Sequence, residues 1–205
     1  MTRIRRIAGH ELRVLVSVGL WAARRRHGVP AGARGFPYAR GQAVMMYAFL
    51  FVCVVESCGM WVLLRGMPVL HTVVTVLDGY TVVMVLGLHA ACVTRPHVLT
   101  ADALRVRRGA QVDLRVPVEA IARVRRENRF THPAADGELD LPIGSQTTVT
   151  LELDPPVRHV GFFGRPREVR VVRLHAEDGD GLHRALTGAL TRERTAPSPV
   201  PDPPA

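Results

Sequence analysis

The chain has 205 residues, 47% of them hydrophobic, with a mean hydropathy of +0.11 and a net charge of +9. It is too apolar to be disordered, and its length accommodates one or two domains. Its cysteines, Cys53, Cys58 and Cys92, all lie inside apolar runs and form no CxxC, which excludes a disulfide framework.

The charge is unevenly spread. All 27 basic residues are arginine, as GC-rich coding produces. Residues 1–41 carry nine Arg against one Glu, whereas residues 94–205 carry 17 Arg against 15 Asp plus Glu. The excess therefore sits beside the first apolar run, where it signals topology or anionic lipid. No basic stripe interleaved with aromatic residues is present, so nucleic acid is not an expected partner.

Residues 1–41 read as a basic N-terminal interfacial segment. "TRIRRIAGHELRVLVSVGLWAARRR" has a short apolar centre broken by Arg13 and lacks a small-residue cleavage site, unlike a signal peptide. The expectation is a partly amphipathic helix lying at the cytoplasmic interface, with Trp21 at headgroup depth and Arg24, Arg25 and Arg26 as candidate anionic-lipid contacts.

Residues 42–94 read as a transmembrane helical hairpin, with spans at about 43–64 and 69–93. At 1.5 Å rise per residue each span is about 33–38 Å long, enough for a hydrocarbon core of ~30 Å. The linker "RGMP" is too short for anything but an antiparallel turn. Its only Arg is Arg65, while the outer ends carry Arg24, Arg25, Arg26, Arg34, Arg40, Arg95, Arg105, Arg107 and Arg108. Both termini are therefore expected on the cytoplasmic side of the inner (plasma) membrane.

Two acids interrupt the spans. Glu56 lies nine residues before Arg65 and Asp78 ten after Pro68, which puts both about 14–15 Å below the loop. His71, Thr75, Asp78, Val82, Val85 and His89 share one face of the second helix; Met45, Phe49, Val52, Glu56, Gly59 and Leu63 share one face of the first. If those faces meet, Glu56 and Asp78 oppose each other. A lone charge at bilayer centre costs about 2.5–3.5 kcal/mol, so pairing with a shared proton is expected. Glu56, Asp78, His71 and His89 form the candidate intramembrane polar site, either an interhelical clasp or a proton relay.

After Val93 the apolar period shortens to two. Leu104 and Val106 are expected inward, with Arg105 and Arg107 outward. Val112, Leu114 and Val116 continue the core, "SQTTVTLEL" and "REVRVVRLH" supply further strands, and "EDGDGLHRALTGAL" supplies a helix capped by Asp180. Residues 95–191 thus form a small cytoplasmic β module, and the Pro-rich residues 192–205 a disordered tail.

"HVLTADALRVRRG", "VPVEAIARV", the late "VRVVRL" strand and the terminal helix together resemble the bacterial pleckstrin-homology-like domain. The resemblance covers residues 95–191 and rests on the order and spacing of elements. The strand pattern itself describes a small barrel or sandwich of six or so strands plugged by the helix, and the resemblance implies a seven-stranded bent barrel with a C-terminal capping helix, used for binding or assembly, commonly after a pair of membrane helices. The loop "TAD" (100–102) is short and acidic, which argues against inositol-phosphate recognition.

No GxxxxGK[ST], GxGxxG, HExxH or GxSxG is present, and "THPAADGELDLP" fits no calcium loop. The expected molecule is an α+β membrane protein, non-catalytic, without cofactor or metal. Its partners would be the bilayer and a protein, either a second copy or another chain. The alternative is an accessory subunit of a transport or proton-coupled system using Glu56 and Asp78.

Overall fold

The computed structural model describes residues 2–25, 27–161 and 164–195, with side chains from residue 9 onward. Its elements in order are α1 (Thr2–Ala22), β1 (Arg34–Phe36), α2 (Arg40–Leu63), α3 (Pro68–Thr94), β2 (His97–Leu99), β3 (Ala103–Arg108), β4 (Val112–Pro117), β5 (Ile121–Arg129), β6 (Glu138–Leu141), β7 (Thr147–Val160), β8 (Pro166–Leu174) and α4 (Gly179–Thr195).

Helices α2 and α3 are long and apolar enough to cross a membrane. A single 3₁₀ turn, Leu64–Gly66, joins them, and Pro68 starts α3 at a position where its missing N–H costs nothing. Ser57, Thr72, Thr81 and Thr94 each donate back to the carbonyl four residues earlier, so these hydroxyls need no outside partner. The apolar side chains are left uncovered: Val44 is 82% exposed, Val69 78% and Leu63 73%.

Helix α1 departs from the expected interfacial position by packing lengthwise on α3. Both run in the same direction, from the Tyr80 hydroxyl donating to Glu11 (3.0 Å) to Trp21 edge-on to His89 (6.1 Å). Between these contacts Val14 fills the notch at Gly87, where even a Cβ would collide with it. The absence of a side chain at Gly87 is what lets the two backbones approach. Leu12, Leu15 and Val16 remain exposed on the outer side of α1.

The β strands form two four-stranded sheets, ordered β1-β2-β3-β4 and β5-β7-β8-β6, and among the described residues they do not close into a barrel. β6 runs parallel to β8; the other neighbours are antiparallel. Both sheets and α4 share one core that includes Leu104, Val116, Leu151, Leu174, Leu182 and Leu186, all with essentially no exposure. Burying a side chain of this size is worth about 1.5–3 kcal/mol, so this shared core holds the module together.

Three expectations are corrected here. The sequence boundary at residue 95 splits the module, because β1 precedes the hairpin yet pairs with β2. Arg107 is buried instead of outward, since the segment at His27–Gly28 covers that face and accepts from its guanidinium. The cap of α4 is Asp178, whose carboxylate accepts from Gly181 N–H at 2.7 Å, while Asp180 pairs with Arg126 at 3.0 Å. Helix α4 continues to Thr195; the remainder of the proposed tail, 196–205, lies outside the described residues.

Candidate functional site

The phase of α2 differs from expectation by one residue. Its covered side is Met46, Leu50, Cys53, Ser57, Met60 and Leu64, with the same 4-3-4-3-4 spacing as the expected set beginning at Met45. One residue is about 100° of helix rotation, enough to turn Glu56 out of the α2–α3 seam. Glu56 is exposed, whereas Asp78 is half-buried. On α3 the covered side does include His71, Asp78, Val82, Val85 and His89, but Thr75 is exposed and Val74 takes its place.

Glu56 and Asp78 therefore share a depth but not a face, and they make no hydrogen bond or ion pair with each other. Asp78 instead borders a groove of about 420 Å³ with Ser57, Cys58, Trp61, Thr75 and Gly79. His71 packs tilted against Trp61 at 5.8 Å, and the Arg65 guanidinium lies over that indole at 4.3 Å. His71 and His89 are 18 residues apart on α3, about 27 Å along the axis. No two of the four expected polar groups touch.

A denser polar arrangement sits at the base of the hairpin, on residues the sequence did not single out. His97 is 2% exposed; its Nδ1 accepts from the Arg107 backbone N–H at 3.1 Å, and its Nε2 donates to the His175 carbonyl at 3.0 Å. These two bonds select the neutral Nε2–H tautomer. Burial accordingly pushes the His97 pKa down to about 4, although the His175 carbonyl opposes the shift. Tyr38 packs against the imidazole at 4.7 Å, and its hydroxyl accepts from Gly109 N–H at 2.7 Å. Desolvation pushes that phenol upward. Two segments flanking the hairpin, 37–39 and 95–97, are thus fastened to β3, the β3–β4 turn and the approach to α4.

Arg24 and Arg25, two of the three candidate lipid contacts, line a cavity of about 460 Å³ at the same level; Arg26 lies outside the described residues. Helix α1 ends in a Schellman motif, with Arg25 N–H bonded to the Leu20 carbonyl at 2.8 Å and Arg24 N–H to that of Trp21 at 2.9 Å. Arg24 occupies the left-handed position (φ 53°) that glycine ordinarily fills. His89 lines the same cavity, with its Nε2 3.1 Å from the Tyr47 hydroxyl and its Nδ1 buried without a partner.

The acids of residues 131–142 serve the fold. Arg173, 8% exposed, bonds Glu138 at 2.5 and 2.8 Å and Asp140 at 3.0 Å. Hydrogen bonding to Arg173 holds the Glu138 carboxyl below its usual range. His132 lies 3.0 Å from the Thr147 hydroxyl. Among the described residues no three His, Cys, Asp or Glu side chains gather as a metal site. The chain matches no family model, no curated protein and no solved structure.

Proposed function

We propose that this is a two-span membrane protein whose hairpin displays the two-sheet module at the cytoplasmic face as a non-catalytic binding and assembly unit of the pleckstrin-homology-like kind. The observation that carries this reading is the attachment of the hairpin. α2 leaves β1 after three residues and α3 enters β2 after two, and β1 and β2 are paired neighbours. A hairpin mounted on one antiparallel pair has little freedom to swing, so an event at the module would be felt as a tilt of the helices.

The uncovered apolar side chains of α2 and α3 support insertion, because a water-facing surface of that extent would drive aggregation. The arginines that flank α2 and α3 at the β-module end, Arg34, Arg40, Arg95, Arg105, Arg107 and Arg108, against the single Arg65 at the turn, support a cytoplasmic β module. In that setting α1 dips beside α3 with Leu12, Leu15 and Val16 toward lipid.

Assembly is favoured by Glu56. An acid at mid-span turned away from its own hairpin is costly in lipid and is relieved by a polar group from another helix. The same exposure suits an accessory subunit of a proton-coupled or transport system, in which Glu56 meets a carrier protein. Extraction of membranes with alkaline carbonate tests the common premise: the chain should stay in the pellet, and release into the supernatant would overturn the reading. Replacing Glu56 in cells then separates the two, since only the accessory-subunit reading expects a pH-dependent flux to be lost while assembly persists.

A further inference from the structure

We propose that the cavity at the base of the hairpin is a binding site for the phosphate of one anionic phospholipid. The proposal rests on the membrane reading for its source of ligand and on the cavity for its chemistry. Three arginines, Arg24, Arg25 and Arg40, line it with a single acid, Glu177, which leaves a formal charge of +2 on the lining. Glu177 is already engaged: it accepts from the Arg40 backbone N–H at 2.9 Å and lies 3.5 Å from the Arg40 guanidinium. Arg24 and Arg25 have no such acid among the described residues.

His89 supplies the independent observation. It is 4% exposed and lines the cavity, yet its Nδ1 has no partner. If Tyr47 donates its hydroxyl proton to Nε2, Nδ1 carries the other proton and needs an acceptor there. A phosphate oxygen in the cavity would accept from the arginine forks in the paired manner guanidinium groups favour.

Position argues for a lipid over a free phosphate. The cavity lies where α2 begins and α3 ends, the level at which phospholipid headgroups meet a crossing hairpin. Trp21 and Tyr47 line it, residues whose amphipathic rings suit that level. Ala43 and Val93 form an apolar side that continues onto the uncovered helix surface, a route for acyl chains. A volume of about 460 Å³ is within the range of small-molecule sites. Arg24 adds a structural hint: an arginine occupies a left-handed position that glycine adopts without strain.

The test uses full-length protein in a neutral detergent, with Trp61→Phe so that Trp21 is the sole indole. Short-chain phosphatidylglycerol should shift the Trp21 emission saturably, with phosphatidylcholine having little effect. Arg24→Gly and Arg25→Gln should each weaken binding by about tenfold, as loss of one charge-assisted contact does, and Arg24→Gly should not lower the melting temperature. The lipid site is overturned if phosphatidylglycerol gives no saturable shift, if phosphatidylcholine gives the same one, or if both arginine variants bind unchanged. Inorganic phosphate that binds as tightly as the lipid would overturn the lipid as its source. Carbonate extraction judges the membrane reading separately, because the titration needs no bilayer.

Discussion

Phe36 and His97 are register partners in the β1–β2 ladder, although the whole helical hairpin lies between them in the chain. The pairing makes the base of the hairpin part of a sheet, and it places the imidazole of His97 where both its nitrogens are used. Stability of the junction, orientation of the hairpin and the cavity beside it all depend on that one closure.

Acid should loosen this closure. The folded pKa of His97, pushed down to about 4, lies below the ordinary 6.5, so the unfolded chain takes up a proton that the folded chain refuses. The stabilisation is complete above about pH 6.5 and is lost as the pH falls toward 4, to a total of roughly 3 kcal/mol at 1.36 kcal/mol per unit. His159 and His175 are likewise lowered by burial and add to the effect in the same direction. Thermal melts of the detergent-solubilised protein from pH 7.5 to 4 should fall steadily, and His97→Gln should be less stable at pH 7.5 with a flatter profile.

Gly87 and Val14 should behave as a coupled pair. Gly87→Ala places a methyl group against Val14, and overpacking of this kind costs about 1–3 kcal/mol. Helix propensity favours the alanine by about 1 kcal/mol, so the net loss is small but real. In a Val14→Ala background the clash disappears and Gly87→Ala should become neutral or stabilising. A double-mutant cycle on melting temperature reads the coupling; additive effects would mean that α1 does not pack on α3 here.

Arg173 should be the most sensitive charged residue of the module. Arg173→Gln leaves Glu138 and Asp140 side by side without their cation. The carboxylates retain some solvent contact, so the expected cost is about 2 kcal/mol, short of the loss for a wholly buried pair. Because Glu138 is lowered by this contact, its contribution is present above the usual carboxylate range and lost as pH falls through the folded pKa. Denaturant unfolding at neutral pH checks the first statement, and convergence of wild type and variant in acid checks the second.

Glu56 and Asp78 should separate cleanly. Glu56→Leu removes the outward acid and should abolish association between hairpins, whereas Asp78→Asn, which borders the groove of its own hairpin, should leave association intact. Subunit counting in native-lipid discs distinguishes the two variants. Equal loss from both would mean that the helices are phased as the sequence alone suggests.

That phase shows where sequence reasoning reached its limit. The hairpin was legible because two long apolar runs, each carrying a single acid, with a four-residue linker admit few other structures. The covered face of α3 was also legible, since His71, Asp78 and His89 mark one side of an otherwise apolar helix. On α2 the surrounding residues are apolar all round, so no periodicity fixes its rotation, and Glu56 was assigned inward by the expectation that acids seek partners. β1 is three residues long and pairs across the interruption of the hairpin, beyond the reach of local pattern. Arg107 shows the converse limit: strand alternation marked it outward, but a distant loop supplies the carbonyls that bury it. The junction centred on His97 combines residues from four separate segments and left no motif.

The most direct test of the account is the sidedness of two introduced cysteines in a chain whose Cys53, Cys58 and Cys92 have been replaced. Gly66→Cys in the α2–α3 turn should react with a membrane-impermeant maleimide on intact cells, and Arg167→Cys in β8 should react only after the cells are opened. Labelling of Arg167→Cys from outside, or of neither position until lysis, would contradict a membrane-crossing hairpin that carries its β module on the cytoplasmic side.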